Sequence, residues 1–148
     1  MGDSVPERVR ISLKSQYALR AVFDLTLRTP GGPVKIADIA KRQRIPQKFL
    51  ELILSGLRQG GFVESRRGAE GGYLLAQAPD SITVGAVIRY VEGARETRLR
   101  TRREADPLTS MWKRVDDAFS SVVDKTTFAE LTREWQEHQR KYTPNWEI

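Results

Sequence analysis

The sequence predicts a mainly α-helical protein with one small β-hairpin, and three observations support this fold class. Two amphipathic segments, at about 36–42 and 46–59, are joined by only three residues. Two short β-prone runs around a glycine-rich turn follow directly. A further amphipathic segment, from residue 107 to about 125, repeats apolar residues at alternating spacings of three and four. In this order, the elements make a winged helix-turn-helix followed by a long dimerisation helix.

The composition is that of a soluble globular chain. Hydrophobic residues make up 39% and charged residues 30% of the 148 residues. No run approaches the roughly 18 apolar residues that a membrane span needs, and residues 1–10 contain no secretory apolar stretch. We therefore expect a cytoplasmic protein with no membrane partner, in which residues 1–10 form a flexible leader.

The chain contains no cysteine and a single histidine, His138. The lack of cysteine excludes disulfides, thiolate zinc sites, thiolate-held iron–sulfur clusters and cysteine nucleophiles. Serine or zinc hydrolase chemistry needs partners that this chain does not have, and His138 is predicted to be an ordinary surface residue. We expect no enzymatic activity, no metal site and no cofactor.

The first helix is predicted from apolar periodicity and from residues that start and stop helices. Ser12 or Ser15 caps it, it runs to about residue 27, and the Thr-Pro-Gly-Gly-Pro sequence at 29–33 ends it. A second helix covers about 36–42. The residues of the first helix predicted to face the core are Leu13, Tyr17, Ala18, Ala21, Val22 and Leu25.

The third helix, at about 46–59, has the clearest pattern. Pro46 presets the backbone of its first turn, and two glycines at 60–61 end it. The residues predicted to be buried are Phe49, Leu50, Ile53, Leu54 and Leu57. At about 100° per residue, Lys48, Glu51 and Ser55 lie on the opposite face. The flanks carry Gln47, Leu52, Arg58 and Gln59.

A β-hairpin is predicted next, with strands at 62–66 and 73–76 around the turn 67–72. The turn region combines two arginines with three glycines: Arg66, Arg67, Gly68, Gly71 and Gly72. Glycines let backbone and guanidinium groups approach a DNA groove closely. The simpler alternative is a flexible glycine loop.

Three helices are predicted in the remainder of the chain. Thr83 caps one that ends at residue 92, Asp106 caps the long helix, and the sequence Thr-Phe-Ala-Glu at 127–130 is a capping box that opens the last. The last helix is predicted to bury Phe128, Leu131 and Trp135. The tail 143–148 has no readable pattern.

These elements divide the chain into a DNA-binding domain at 11–93, a linker at 94–106 and dimerisation helices at 107–142. The apolar stripe of the long helix predicts pairing between two copies, and the alternative is packing on its own domain. The stripe consists of Leu108, Met111, Trp112, Val115, Ala118, Phe119 and Val122.

The net charge of +6 is unevenly distributed. Residues 41–67 contain seven basic and two acidic residues, whereas residues 108–148 contain six basic and seven acidic ones. A basic segment followed by a nearly neutral one indicates a polyanion partner for the basic segment. The alternative is a solvated basic face with no partner. The predicted DNA-binding residues are Gln47, Lys48, Glu51, Ser55, Arg58, Arg66, Arg67, Gly68, Gly71 and Gly72. Two roles stay open for Glu51. Its carboxylate accepts a hydrogen bond from a cytosine amino group, or it forms an ion pair with Lys48.

Several motifs are specific enough to suggest a family. They are Phe-Leu-Glu at 49–51, Arg-Gly-x-x-Gly-Gly-Tyr-x-Leu at 67–75 and Ile-Thr at 82–83, accompanied by Tyr-Ala-Leu-Arg-Ala at 17–21 and Thr-Phe-Ala-Glu-Leu at 127–131. With these motifs the chain resembles the Rrf2 family of bacterial transcription regulators over about residues 11–135. The resemblance implies a homodimer that binds a palindromic operator and usually represses.

The resemblance also implies a sensor position between the fourth helix and the dimerisation helix. Many members hold an iron–sulfur cluster there with three cysteines, and some add an acidic ligand early in the first helix. This chain has no cysteine in 94–106 and has Gln16 at the matching acidic position. It therefore resembles a cluster-free member. A small ligand or partner protein could instead use the loop arginines, Arg95, Arg98, Arg100, Arg102 and Arg103, with a solvated linker as the alternative.

Two other binding functions fit the sequence less well. A winged-helix adaptor that binds protein predicts an uncharged outward face on the third helix, which Lys48 and the two wing arginines contradict. RNA binding by a sheet needs paired aromatic stacking positions, which the sequence does not offer.

Overall fold

The computed structural model describes residues 11–93 and 107–142. Its helices and strands are α1 Leu13–Arg28, α2 Ile36–Gln43, α3 Gln47–Gln59, β1 Val63–Arg66, β2 Gly72–Leu75, α4 Val84–Glu92, α5 Thr109–Val123 and α6 Phe128–Tyr142, with short 3₁₀ helices at Thr29–Gly31 and Pro79–Ser81. The predicted fold class is confirmed. No helix within the two described ranges is long and apolar enough to span a bilayer.

Capping side chains start three of the helices where the sequence predicts them. Ser12 caps α1, because its Oγ accepts from the Ser15 backbone N–H at 3.1 Å. Thr83 caps α4 and Thr127 caps α6 through the same type of bond, each at 3.1 Å. The predicted start of the long helix at Asp106 is wrong. Pro107 lies in a turn, and the N-cap of α5 is Leu108.

The hairpin forms a two-stranded antiparallel sheet that is attached to the chain segment before α2. Val63 pairs with Leu75, and Arg66 pairs with Gly72. Val34 adds a bridge to the outer side of β2, because its N–H and carbonyl both bond to the backbone of Tyr73, at 2.7 and 2.8 Å. The base of the hairpin, which is the wing, is therefore fixed to the segment before α2.

One apolar core lies between α1, α2, α3, α4, the hairpin and the start of α6. Its fully covered side chains include Leu25, Ile39, Leu50, Leu57 and Val87. Phe128, the first residue of α6, is 1% exposed and belongs to the same core. Its N–H donates to the Ile82 carbonyl at 3.0 Å.

The core of the predicted domain at 11–93 therefore continues into the first turn of α6. We call residues 11–93 together with the first turn of α6 the head.

Two predicted core positions are exposed in this chain. Leu13 is 55% exposed in the first turn of α1, and Trp135 is 43% exposed on α6. Both lie on the predicted face of their helix but beyond the point where the core covers it. Trp135 contacts the ring of Phe23 edge-on at 6.5 Å and stacks on His138 at 5.9 Å.

Candidate nucleic-acid interface

A tight turn connects α2 to α3. Arg44 ends α2 in the left-handed conformation, with φ 57° and ψ 48°, and its N–H bonds to the Ala40 carbonyl. Ile45 is buried, and Pro46 is the N-cap of α3 rather than its first helical residue. This turn lets the two helices follow within three residues.

The two faces of α3 are as predicted. Leu50, Ile53, Leu54 and Leu57 are buried, and Phe49 is half-buried with its ring edge-on to Tyr17 at 5.4 Å. The exposed residues on the other side are Gln47, Lys48, Glu51, Leu52, Arg58 and Gln59, with Ser55 half-buried among them.

Lys48 and Glu51 form no ion pair with one another or with any other described residue. The alternative role of Glu51, as the partner of Lys48, is therefore absent from this structure. Both charges are left facing solvent on α3 and are available to a ligand.

Arg42 is a basic residue of this region whose side chain is already paired with a carboxylate of the fold. Its Nε and Nη2 donate to the two carboxylate oxygens of Asp24 on α1 at 3.0 and 2.9 Å, and the Gln43 side chain adds a third bond at 3.0 Å. The hydrogen bonding of Arg42 to the Asp24 carboxylate raises the pKa of Arg42 above its ordinary value. The sequence count of seven basic residues therefore includes one that serves the fold.

Five other cations of the helix-turn-helix and wing are exposed: Lys41, Arg44, Lys48, Arg66 and Arg67. None of the five forms an ion pair within residues 11–93 and 107–142. Arg58, also exposed, donates to Ser65 Oγ at 3.3 Å and links α3 to β1. An unneutralised cationic surface of this kind attracts a polyanion.

The glycines of the wing have different roles. A Cβ on Gly71 would lie 2.1 Å from the Arg66 carbonyl oxygen, and one on Gly72 would lie 2.4 Å from that of Val34. Gly71 is also buried, and the close backbone contacts at both positions require glycine for the hairpin to form. Gly68, with φ 105° and open space around it, is the one of the three that faces outward.

Lys35 is a functional candidate that the sequence reasoning missed. It precedes α2, and its Nζ donates to the Ala69 carbonyl at the tip of the wing at 2.6 Å. The two residues are 34 positions apart, so no local pattern could have indicated the contact. Lys35 therefore anchors the wing tip beside Arg67.

The apolar stripe of α5 is largely uncovered. Leu108, Met111, Ala118 and Val122 are exposed, whereas Trp112, Val115 and Phe119 are half-buried. Val123 is the only buried residue of α5. The end of α5 is attached to the head by an ion pair between Arg89 and Asp124.

An open apolar groove of about 810 Å³ lies beside this attachment, between α1, α6 and the end of α5. Phe23, Val122 and Leu131 are among its lining residues. The predicted effector arginines of 94–106, the leader 1–10 and the tail 143–148 lie outside the described residues.

A helix-turn-helix followed by a cationic hairpin defines a winged-helix DNA-binding protein. Comparison with known families matches residues 11–134 to Rrf2, described as an iron-dependent transcriptional regulator. The chain belongs to the Rrf2 family. It is a DNA-binding transcription regulator, not an enzyme, and regulators of this family are typically dimeric.

Similar proteins agree with this assignment. The HTH-type transcriptional regulator CymR of Bacillus subtilis is 34% identical over 134 residues, covering 90% of this chain and 97% of CymR. The HTH-type transcriptional regulator IscR of Erwinia tasmaniensis is 39% identical over 129 residues, covering 83% of this chain and 78% of that protein. The solved structure of T. potens IscR superposes with a TM-score of 0.79 at 33% identity, covering 93% of this chain and 95% of that one.

The iron dependence in the family description does not fit the residues present here. An iron–sulfur cluster is held mainly by cysteine thiolates, and the sequence has no cysteine. The described residues also contain no group of three or more histidine, aspartate or glutamate side chains that could hold a metal ion. The chain therefore lacks the ligand set for such a cluster.

Proposed function

We propose that two copies of this chain bind a palindromic DNA operator in the cytoplasm and repress transcription by occupying it. In each copy α3 enters the major groove and the wing contacts the adjacent minor groove. The observation that carries the proposal is the set of five exposed cations, on α2, α3, their connecting turn and the wing, that have no acidic partner among the described residues.

The exposed face of α3 combines affinity with base discrimination. Lys48 neutralises phosphate or donates to guanine, and Ser55 either donates or accepts. Glu51 weakens contact with phosphate but accepts from the amino group of cytosine. Because Glu51 forms no ion pair in the described structure, its carboxylate is available for that role. Gln47 and Arg58 flank these residues and reach the phosphates on either side.

The wing supplies the second contact. Arg67 is exposed at the turn next to Gly68, whose open surroundings let the backbone come close to DNA. A narrow minor groove concentrates negative potential and attracts an arginine inserted into it. Arg66, one residue earlier, contacts the phosphate backbone.

Dimerisation through α5 explains the uncovered apolar stripe. An exposed stripe of this length is unfavourable in water, and a second copy of α5 would cover it. The pairing residues are Leu108, Met111, Trp112, Val115, Ala118, Phe119 and Val122. Pairing would fix two heads about one helical turn of DNA apart, which is the spacing that a palindromic site requires.

The test is selection of bound duplexes from a random pool by the full chain, followed by fluorescence anisotropy at 50 and 200 mM salt. We expect one palindromic motif and an affinity that falls by roughly 1,000-fold or more between the two salt concentrations. Changing Lys48, Arg66 and Arg67 together to alanine should abolish binding at the higher concentration.

The matched control removes three cations from α6, Arg133, Arg140 and Lys141, and should bind nearly as well as the original chain. Enrichment of no motif, or equal loss in the control, would contradict the proposal.

A further inference from the structure

Leu52 is a large apolar side chain on the flank of α3, next to the proposed DNA-contacting residues Lys48 and Ser55. It is 68% exposed on α3. A single exposed leucine is ordinary on a protein surface and needs no explanation by itself. Its position is unusual, because Leu52 follows Lys48 by four residues and precedes Ser55 by three, so the three side chains form one ridge along the helix.

The other large exposed hydrophobic residues lie elsewhere. They are Leu13 on α1, Tyr90 on α4, Leu108 and the α5 residues Met111 and Val122, and Trp135 and Tyr142 on α6. Within the described part of the chain, Leu52 is thus the only such residue on α2, α3 or the wing. A duplex that contacts both Lys48 and Ser55 must also meet Leu52, because neighbouring Cβ atoms on such a ridge are about 5–6 Å apart.

We infer that Leu52 contacts the 5-methyl group of a thymine in each half-site and so selects thymine at that position. The inference rests on the proposed function. Leucine has no hydrogen-bonding group, and the only apolar feature on the major-groove edges of the bases is the thymine methyl. Phosphate is an unfavourable neighbour for Leu52, because an apolar side chain removes water from it without replacing the lost hydrogen bonds.

The size of the effect follows from burial of one methyl group. Transfer of such a group from water makes binding about fourfold tighter at each half-site. Cytosine in place of thymine loses the methyl and also presents a different polar group, so deoxyuridine is the cleaner comparison. It keeps every hydrogen bond of thymine and lacks only the methyl.

The experiment uses the full chain and the palindrome recovered from the random pool. Each thymine of a half-site is replaced in turn by deoxyuridine, in both half-sites together, and the dissociation constant is measured by anisotropy. For the original protein, deoxyuridine should weaken binding about fourfold per half-site at one thymine position and change the affinity little at the others. Leu52→Ala should bind the thymine and deoxyuridine duplexes equally at that position. Glu51→Ala, one residue away, should keep the thymine preference whatever its overall affinity.

The outcomes separate the two proposals. If no motif is recovered, both the proposed function and this inference are wrong. If a motif is recovered but deoxyuridine is tolerated at every position, or Leu52→Ala keeps the preference, only the inference is overturned. The deoxyuridine scan of the original chain needs no variant, so a misfolded variant cannot mask the result.

Discussion

The guanidinium of Arg42 on α2 forms two hydrogen bonds with the carboxylate of Asp24 on α1. Asp24 is 1% exposed, whereas the Arg42 side chain is 33% exposed. A buried carboxylate is costly unless it is paired and hydrogen-bonded. The pair therefore fixes α2 against α1 in one arrangement and, through the short turn after α2, helps to fix the start of α3.

Replacing Arg42 by methionine should lower the free energy of unfolding by about 3 kcal/mol. The methionine keeps much of the volume but leaves Asp24 buried with the Gln43 amide as its remaining donor. Asp24→Asn in the same chain should recover part of the loss, because it removes the buried charge. Urea denaturation followed by circular dichroism measures both.

Lys41→Ala is the control for this series. It removes an exposed cation from the same helix that has no ion-pair partner in the described structure, so its effect on unfolding should stay within about 0.5 kcal/mol. Equal destabilisation by Lys41→Ala and Arg42→Met would show that the ion pair has no special role.

The features that the sequence predicts well are those that depend on residues close together in the chain. The faces of α3, the caps at Ser12 and Thr83 and the hairpin all depend on spacings of a few residues. The contacts of Asp24 with Arg42 and of Lys35 with Ala69 join residues 18 and 34 positions apart, and no periodicity encodes them. Such contacts are known only once the helices are packed.

Burial errors have a related cause. A stripe of apolar residues shows which side of a helix faces the core but not where the core ends. Leu13 and Trp135 lie on the correct side and outside the covered length. Likewise, the sequence indicates that Gly72 is in a turn, whereas the close approach of Val34 that requires glycine there is visible only in the fold.

Arg44 should show opposite effects on stability and DNA binding. Its positive φ of 57° is unfavourable for a residue with a Cβ, by about 1–2 kcal/mol. Arg44→Gly should raise the free energy of unfolding by about 0.5–1 kcal/mol, after the greater flexibility of glycine in the unfolded chain is counted. It should also weaken DNA binding, because a free cation beside α3 is lost.

Arg44→Ala separates the two effects. It removes the same charge while keeping a Cβ in the left-handed conformation, so we expect weaker DNA binding without the gain in stability. For both variants, thermal unfolding measures the stability and fluorescence anisotropy on the selected duplex measures the DNA affinity. A chain stabilised equally by alanine and glycine would show that the backbone conformation is not the cause.

Lys35 should act on DNA binding through the wing. Lys35→Ala removes the bond from Nζ to the Ala69 carbonyl, so the turn that carries Arg67 is held less firmly. We expect both Lys35→Ala and Arg67→Ala to weaken binding, and the double variant to lose less than the two single losses combined. If the losses add fully, Lys35 contributes its charge alone and does not position Arg67.

An acidic residue in the α5 stripe should disrupt the dimer. Met111→Asp would place a carboxylate at the proposed apolar interface, where it has no partner, and should raise the dimer dissociation constant by roughly 100-fold. Sedimentation velocity should then show monomers, with helical content retained, because Met111 is exposed in the single chain. Ser121→Asp, an exposed position of α5 outside the stripe, is the matched control and should stay dimeric. Dissociation of both variants alike would argue against pairing through this stripe.

The wing arginine should contribute both charge and groove recognition, and two substitutions distinguish these contributions. Affinity falls as salt rises, and Arg67→Ala should make this fall shallower. The slope of log affinity against log salt should lose about one in magnitude for each half-site, because one phosphate-region contact is lost per copy. Arg67→Lys should keep most of that slope but lose preference for a narrow A·T-rich minor groove, since lysine is a more strongly hydrated cation. Arg133→Ala on α6 removes one exposed cation outside the proposed interface and should leave both properties unchanged. If Arg67→Lys retains the full preference for A·T-rich flanks, the wing acts by charge alone, and discrimination must come from α3.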